Sequence, residues 1–195
     1  MRAALSPSRG GVLIRLRRFV EDRRGVGAVE FAIVAPLLIM AYICAFEISL
    51  AMTVSRKVSR ASSTVSDLLT QSSSTNKATL DTMKDVAKNV VAPFAIGDYT
   101  LKITGISVAS DGKATVAWSR DQGGGTPYAK GSPVTLPSDM TATNIFIVRT
   151  EFAVPHRILL MMPGLQASGL NMLTLSRTSY FYLRIGKSVD CSDCT

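Results

Sequence analysis

The chain has 195 residues, 47% of them hydrophobic and 18% charged, with a mean hydropathy of +0.24. That composition excludes a disordered tail, which needs low hydrophobicity and high charge. Three cysteines exclude a disulfide-built scaffold. The net charge of +8 does not mark a nucleic-acid face: residues 1–25 hold seven arginines against Glu21 and Asp22, a net +5, which leaves +3 for the remainder of the chain.

The first predicted element is a membrane helix. From Phe31 to Phe46 the sequence reads FAIVAPLLIMAYICAF, and ISLAMTV follows Glu47, so the apolar stretch reaches about Val54. A bilayer needs roughly 20 such residues as a helix. A core helix of a small domain would be amphipathic, whereas this run is apolar all round. The Leu, Ile, Phe and Val residues between Phe31 and Leu50 contribute roughly −3 to −6 kcal/mol to insertion. Glu47 opposes them by less than the roughly 2.5–3.5 kcal/mol of a central acid, because it lies off-centre. Arginines before a first membrane helix stay in the cytoplasm. Residues 1–25 are therefore expected inside, and the chain beyond about residue 55 outside, although Arg56, Lys57 and Arg60 argue weakly the other way. A secretory signal is a poor match, since its apolar core is shorter and its cleavage site follows that core.

Past the bilayer, Val54, Val58, Ala61, Val65, Leu68 and Leu69 recur at three- and four-residue steps, which predicts one apolar stripe on a helix. If this continues the membrane helix, residues 28–70 form one rod of about 65 Å at ~1.5 Å per residue, and its outer half needs covering. Residues 71–76 are a polar break. Thr75 or Asn76 can cap a second helix, with Leu80, Met83, Val86, Ala87, Val90 and Val91 on one face and Pro93 after its end. The period then changes to two. Runs at 99–108 and 113–120 are joined around Asp111-Gly112, a hairpin signal. Residues 121–142, rich in Gly and Pro, read as a loop. Runs at 144–154 and 174–185 are the third and fourth strands. The expected fold is α+β: a long N-terminal helix, a second helix, and an antiparallel sheet of about four strands with one face on the outer half of the rod.

The tail carries Cys191-Ser-Asp-Cys194. A redox pair wants a βαβ context, and zinc wants four ligands, for which His156 is the only histidine. A periplasmic tail oxidises by default, so a small disulfide loop is favoured over both. His156 has no nucleophile motif near it and reads as a surface or loop residue. There is no G-x-S-x-G, H-E-x-x-H or P-loop lysine. No catalytic residue, metal ligand or cofactor is therefore assigned.

At the junction of leader and apolar run stands RRGVGAVEFAIVAPLL, with Arg23, Arg24, Gly25, Val26, Glu30, Phe31 and Pro36. Gly25 has no side chain, so a protease can approach its backbone. Cleavage after it would expose the Val26 amine about one and a half helical turns from Glu30, whose carboxylate is costly at that depth unless neutralised. Pro36 is tolerated within a membrane helix and usually kinks it. Cys44 reads as apolar filler.

This stretch resembles the type IV prepilin signal, and more specifically the TadE-like family of the tight-adherence (Flp) pilus system, over about residues 22–50. The resemblance implies cutting between Gly25 and Val26 by a prepilin peptidase. It implies that Glu30 helps neighbouring subunits pack, and that Arg23, Arg24, Phe31 and Pro36 belong to the signature. The implied fold is pilin-like, and the implied organisation is a basic cytoplasmic leader (1–25), a transmembrane helix (26–54), periplasmic helices (55–92) and an antiparallel β domain with the cysteine tail (93–195). The implied function is that of a non-enzymatic minor pseudopilin in pilus assembly, anchored in the bacterial inner membrane. Its partners would be the peptidase, other pilins and the assembly platform, with no nucleic acid. The alternative is an uncleaved, membrane-anchored periplasmic accessory protein of the same machinery.

Overall fold

The computed structural model of the chain describes residues 25–94, 96–140, 142–158 and 172–194. Arg23, Arg24 and the rest of the leader before Gly25 lie outside the described residues. The architecture is α+β: helix α1 (Val26–Thr70), β1 (Ser74–Thr75), helix α2 (Lys77–Val91), β2 (Thr100–Val108), β3 (Ala114–Asp121), β4 (Ile145–Arg157), β5 (Met172–Tyr182) and β6 (Asp190–Cys191). The chain divides into two compact units between Phe46 and Glu47.

In the first unit, α1 begins at Val26 and continues through Pro36. Its residues up to Phe46 are exposed, apart from half-buried Ala35 and Cys44. It is the one helix among the described residues long and apolar enough to cross a membrane, by length and composition.

In the second unit, the remaining turns of α1 bury Glu47, Val54, Val58, Ala61, Val65 and Leu69. This is the expected stripe with one correction: Leu68 is 41% exposed. The buried face is completed by Ser62, Ser66 and Thr70 instead. Helix α2 starts at the cap that its sequence offered, with the Asn76 side chain accepting from the Thr79 N–H at 2.8 Å. It buries Leu80, Met83, Ala87 and Val91, with Val86 and Val90 partly buried against the same core.

The main sheet is antiparallel throughout, in the order β3-β2-β4-β5. One face carries Leu101, Ile103, Trp118, Phe146, Val148 and Phe152, which pack with the stripes of α1 and α2 in a single cluster. On the other face Ile106, Val108, Ala114 and Ile147 are covered by Val134, Leu136 and Met140 of the Gly/Pro-rich loop. That loop also pairs with the β3 edge through a Thr115–Pro133 bridge. Where it crosses the sheet, Tyr128 donates to Glu151 at 2.8 Å and lies against Lys102 and Arg149. Burial, reinforced by the bond to Glu151, holds its hydroxyl above the usual tyrosine range.

The β2–β3 connection turns at Gly112, whose φ of +80° suits glycine, and Asp111 accepts from the Lys113 N–H. The register shifts between Gly105 and Ile106. A Cβ on Gly105 would stand 2.5 Å from Trp118 and 2.7 Å from Phe146, so glycine is required there by close approach. Strand β4 runs past Pro155 to Arg157, three residues beyond the expected end at 154. Its pairing with β2 ends at Ala153, so the missing N–H of Pro155 faces no β2 partner.

The two-stranded parallel sheet of β1 and β6 has no counterpart in the sequence reading. Ser74 pairs with Asp190 and Thr75 with Cys191. The tail is drawn in because the Trp118 indole N–H donates to the Val189 carbonyl at 2.7 Å, and Val189 and Cys194 are buried.

Candidate functional site

The residues singled out at the junction lie along the first turns of α1. Gly25 is exposed, and nothing lies within 4 Å of the position where its Cβ would stand. Gly25 itself forms a 3-10 turn, and the α-helix runs on from Val26. The first turn of α1 carries no acid, and Glu30 opens the next.

Because the helix starts at Val26, Val26 and Glu30 stand four residues apart on one face, about one turn rather than one and a half. An amine at residue 26 and a carboxylate at residue 30 are thus i,i+4 neighbours, the spacing at which opposite charges on a helix meet. Glu30 is the sole charged residue between Val26 and Phe46.

The apolar surface around this pair is continuous. Phe31 is 70% exposed, and Leu37, Leu38 and Tyr42 are exposed to a similar degree. At ~1.5 Å per residue, the run from Val26 to Phe46 is about 30 Å long, the hydrocarbon thickness of a bilayer. Pro36 removes one backbone donor, so the Ala32 carbonyl lacks its usual intrahelical partner.

Cys191 and Cys194 lie in the second unit and are joined to each other, with Cα atoms 5.4 Å apart. Their loop presents Asp193 to the start of α2, where the Lys77 N–H donates to Oδ1 at 2.9 Å. A carboxylate at that end complements the helix dipole. The sequence reading missed this second cap, because the contact joins residues 77 and 193. His156 lies in strand β4, half-buried, and its Nε2 has no hydrogen-bond partner among the described residues. The sequence expects a surface or loop position; the structure places His156 within a strand, opposite Leu173, which is no nucleophile.

Residues 25–67 match the family described as TadE-like protein. The match begins on Gly25, covers the whole exposed run, and continues along the buried stripe to Asp67. No curated protein and no solved structure matches the chain.

Proposed function

We propose that this protein takes part in assembly of a tight-adherence pilus as a minor, non-enzymatic prepilin-like subunit. The TadE-like match at residues 25–67 supports involvement in that assembly. The observation that carries the finer reading is the coincidence at one helix end: the match and the helix begin within one residue of each other, and Glu30 follows one turn later.

In this reading the span expected over 26–54 shortens to its exposed part, Val26–Phe46, because Glu47 and Val54 are buried in the folded unit; that part crosses the bacterial inner membrane, and the arginine-rich leader stays in the cytoplasm. The folded unit is periplasmic, where the bond between Cys191 and Cys194 persists. A prepilin peptidase cuts between Gly25 and Val26. The released amine then offsets the Glu30 carboxylate, on the same helix or on a neighbouring one, which lowers the cost of holding an acid against lipid. Neutralisation by a neighbour favours staggered packing of such helices beside other pilins on the assembly platform. Cys44 serves as apolar surface, and Phe31 and Pro36 shape the helix that packs.

N-terminal sequencing of the protein from membranes tests this. The expected mature chain starts at Val26, and Gly25→Asp leaves the leader attached. A mature chain starting at Met1 or Ala3 would overturn processing and leave the uncleaved periplasmic accessory protein as the answer.

A further inference from the structure

Within the folded unit, a groove of about 500 Å³ separates the middle turns of α1 from the start of β5. Ile48 and Met52 of α1 and Leu173 and Leu175 of β5 line its apolar part, and Arg56 and Arg177 line it as well. Leu175 is half-buried against the core, but the others face outward: Ile48 is 62% exposed, Met52 54% and Leu173 45%. Among the described residues the arginines meet no carboxylate. Arg177 donates to the Ser55 hydroxyl at 3.0 Å and to the Ser176 carbonyl at 3.2 Å, both neutral acceptors. Neither arginine forms an ion pair among the described residues. The groove thus combines exposed hydrocarbon with two guanidinium groups that have no acidic partner among the described residues, and whose forked donors suit phosphate oxygens.

We propose that this groove docks an anionic phospholipid of the bilayer that α1 enters. Its phosphate meets Arg56 and Arg177, and its glycerol and upper acyl carbons lie against Ile48, Met52 and Leu173. The proposal rests on Val26–Phe46 being the membrane span. Ile48 and Met52 follow Phe46 by two and six residues, which is about 3–9 Å along a helix. The headgroup layer outside the hydrocarbon is roughly 5–8 Å thick, so chain length alone sets these residues at headgroup depth. Arginine side chains on a helix lean toward its N-terminus, which brings the Arg56 charge back toward the same layer. The charge complementarity favours an anionic lipid over an apolar protein segment, which would leave both arginines without a counter-ion.

The test uses the full chain in vesicles of phosphatidylcholine with increasing phosphatidylglycerol, the lipids brominated high on their acyl chains. Tryptophan is introduced by Leu173→Trp; native Trp118 is buried and provides a constant background. Fluorescence quenching is expected to rise with phosphatidylglycerol. The phosphatidylglycerol fraction that gives half of the maximal quenching should rise roughly fivefold for each arginine removed, in Arg56→Gln and Arg177→Gln. Arg56→Gln alone suffices if Arg177→Gln disturbs the fold, because the Arg56 side chain is exposed and makes no hydrogen bond among the described residues. Absence of quenching at position 173, or quenching indifferent to phosphatidylglycerol and to the arginines, overturns the proposal. Leu38→Trp, measured with bromines deep in the chains, separates this failure from failure of the span: quenching at 38 without quenching at 173 removes the lipid groove alone, and no quenching at 38 removes the span.

Discussion

Val26–Phe46 and Glu47–Thr70 belong to one α-helix, yet apolar content and burial run in opposite directions along it. In the first stretch nearly every residue is apolar and nearly every side chain is exposed; Phe31 is typical. In the second, Val58, Ala61 and Val65 are fully buried, but so are Ser62, Ser66 and Thr70. Hydrophobicity by itself therefore does not say where a core is. An all-round apolar surface is matched to lipid, whereas a stripe is matched to a sheet. The buried half can afford hydroxyls because each finds a partner: Ser66 donates to Thr150 at 2.8 Å, Ser62 lies 2.6 Å from the Ser179 hydroxyl, and Thr70 donates to the Asp67 carbonyl.

The strongest way to break this contrast is to truncate the same residue type in each region. Phe152→Ala removes a side chain that is 1% exposed at the centre of the sheet and should cost about 4 kcal/mol. Phe31→Ala should leave the unfolding midpoint in detergent unchanged. Equal losses in urea titrations would show that the exposed run packs within the chain after all.

Next in size is the tail. Replacing Cys191 and Cys194 by serine opens a short loop and loosens Asp193 from the start of α2. The loss expected from loop entropy is about 2 kcal/mol, read as a lower thermal midpoint of the folded unit. Retained pilus assembly after this double change would also remove a redox role for the pair.

The hydroxyl seam should show coupling. Ser66→Ala strands the Thr150 hydroxyl in a buried site and should cost about 2 kcal/mol. Thr150→Val added to it should recover most of that loss. Additive losses would mean that the seam is packing rather than hydrogen bonding.

The smallest effect is electrostatic. Arg120 donates to both carboxylate oxygens of Asp81, at 2.7 and 2.8 Å, and these bonds hold the Asp81 carboxyl below the usual carboxylate range. The folded-state pKa is depressed, so the stabilisation is complete above the ordinary carboxylate range and is lost as pH falls through the lowered value. Asp81 is more than a third exposed, so solvent screening limits the pair to about 1 kcal/mol. Asp81→Asn should lower the urea midpoint at neutral pH, with a difference that shrinks in acid. A difference independent of pH would assign the effect to packing.

Much of the fold was legible in the sequence because local pattern carried it. The all-round apolar run, the stripe from Val54 to Leu69, the Asn76 cap, the Asp111-Gly112 turn and the four period-two runs each depend on neighbours within a few residues of chain. The junction at Gly25, Val26 and Glu30 is likewise a local pattern, so a comparison of residues 25–67 with a family could find it. Tertiary structure alone decided the margins of the buried faces and the pairings between distant elements. It exposed Leu68 and buried Ser62, because Ser179 of β5 stands opposite Ser62, a partner 117 residues away. It carried β4 through Pro155, because β2 ends first. It drew the tail onto the Trp118 indole, and it brought Arg177 beside Ser55 and the Arg56 turn of α1. These pairings depend on strand register and helix placement, which couple residues far apart in the chain and leave no mark on the local sequence period.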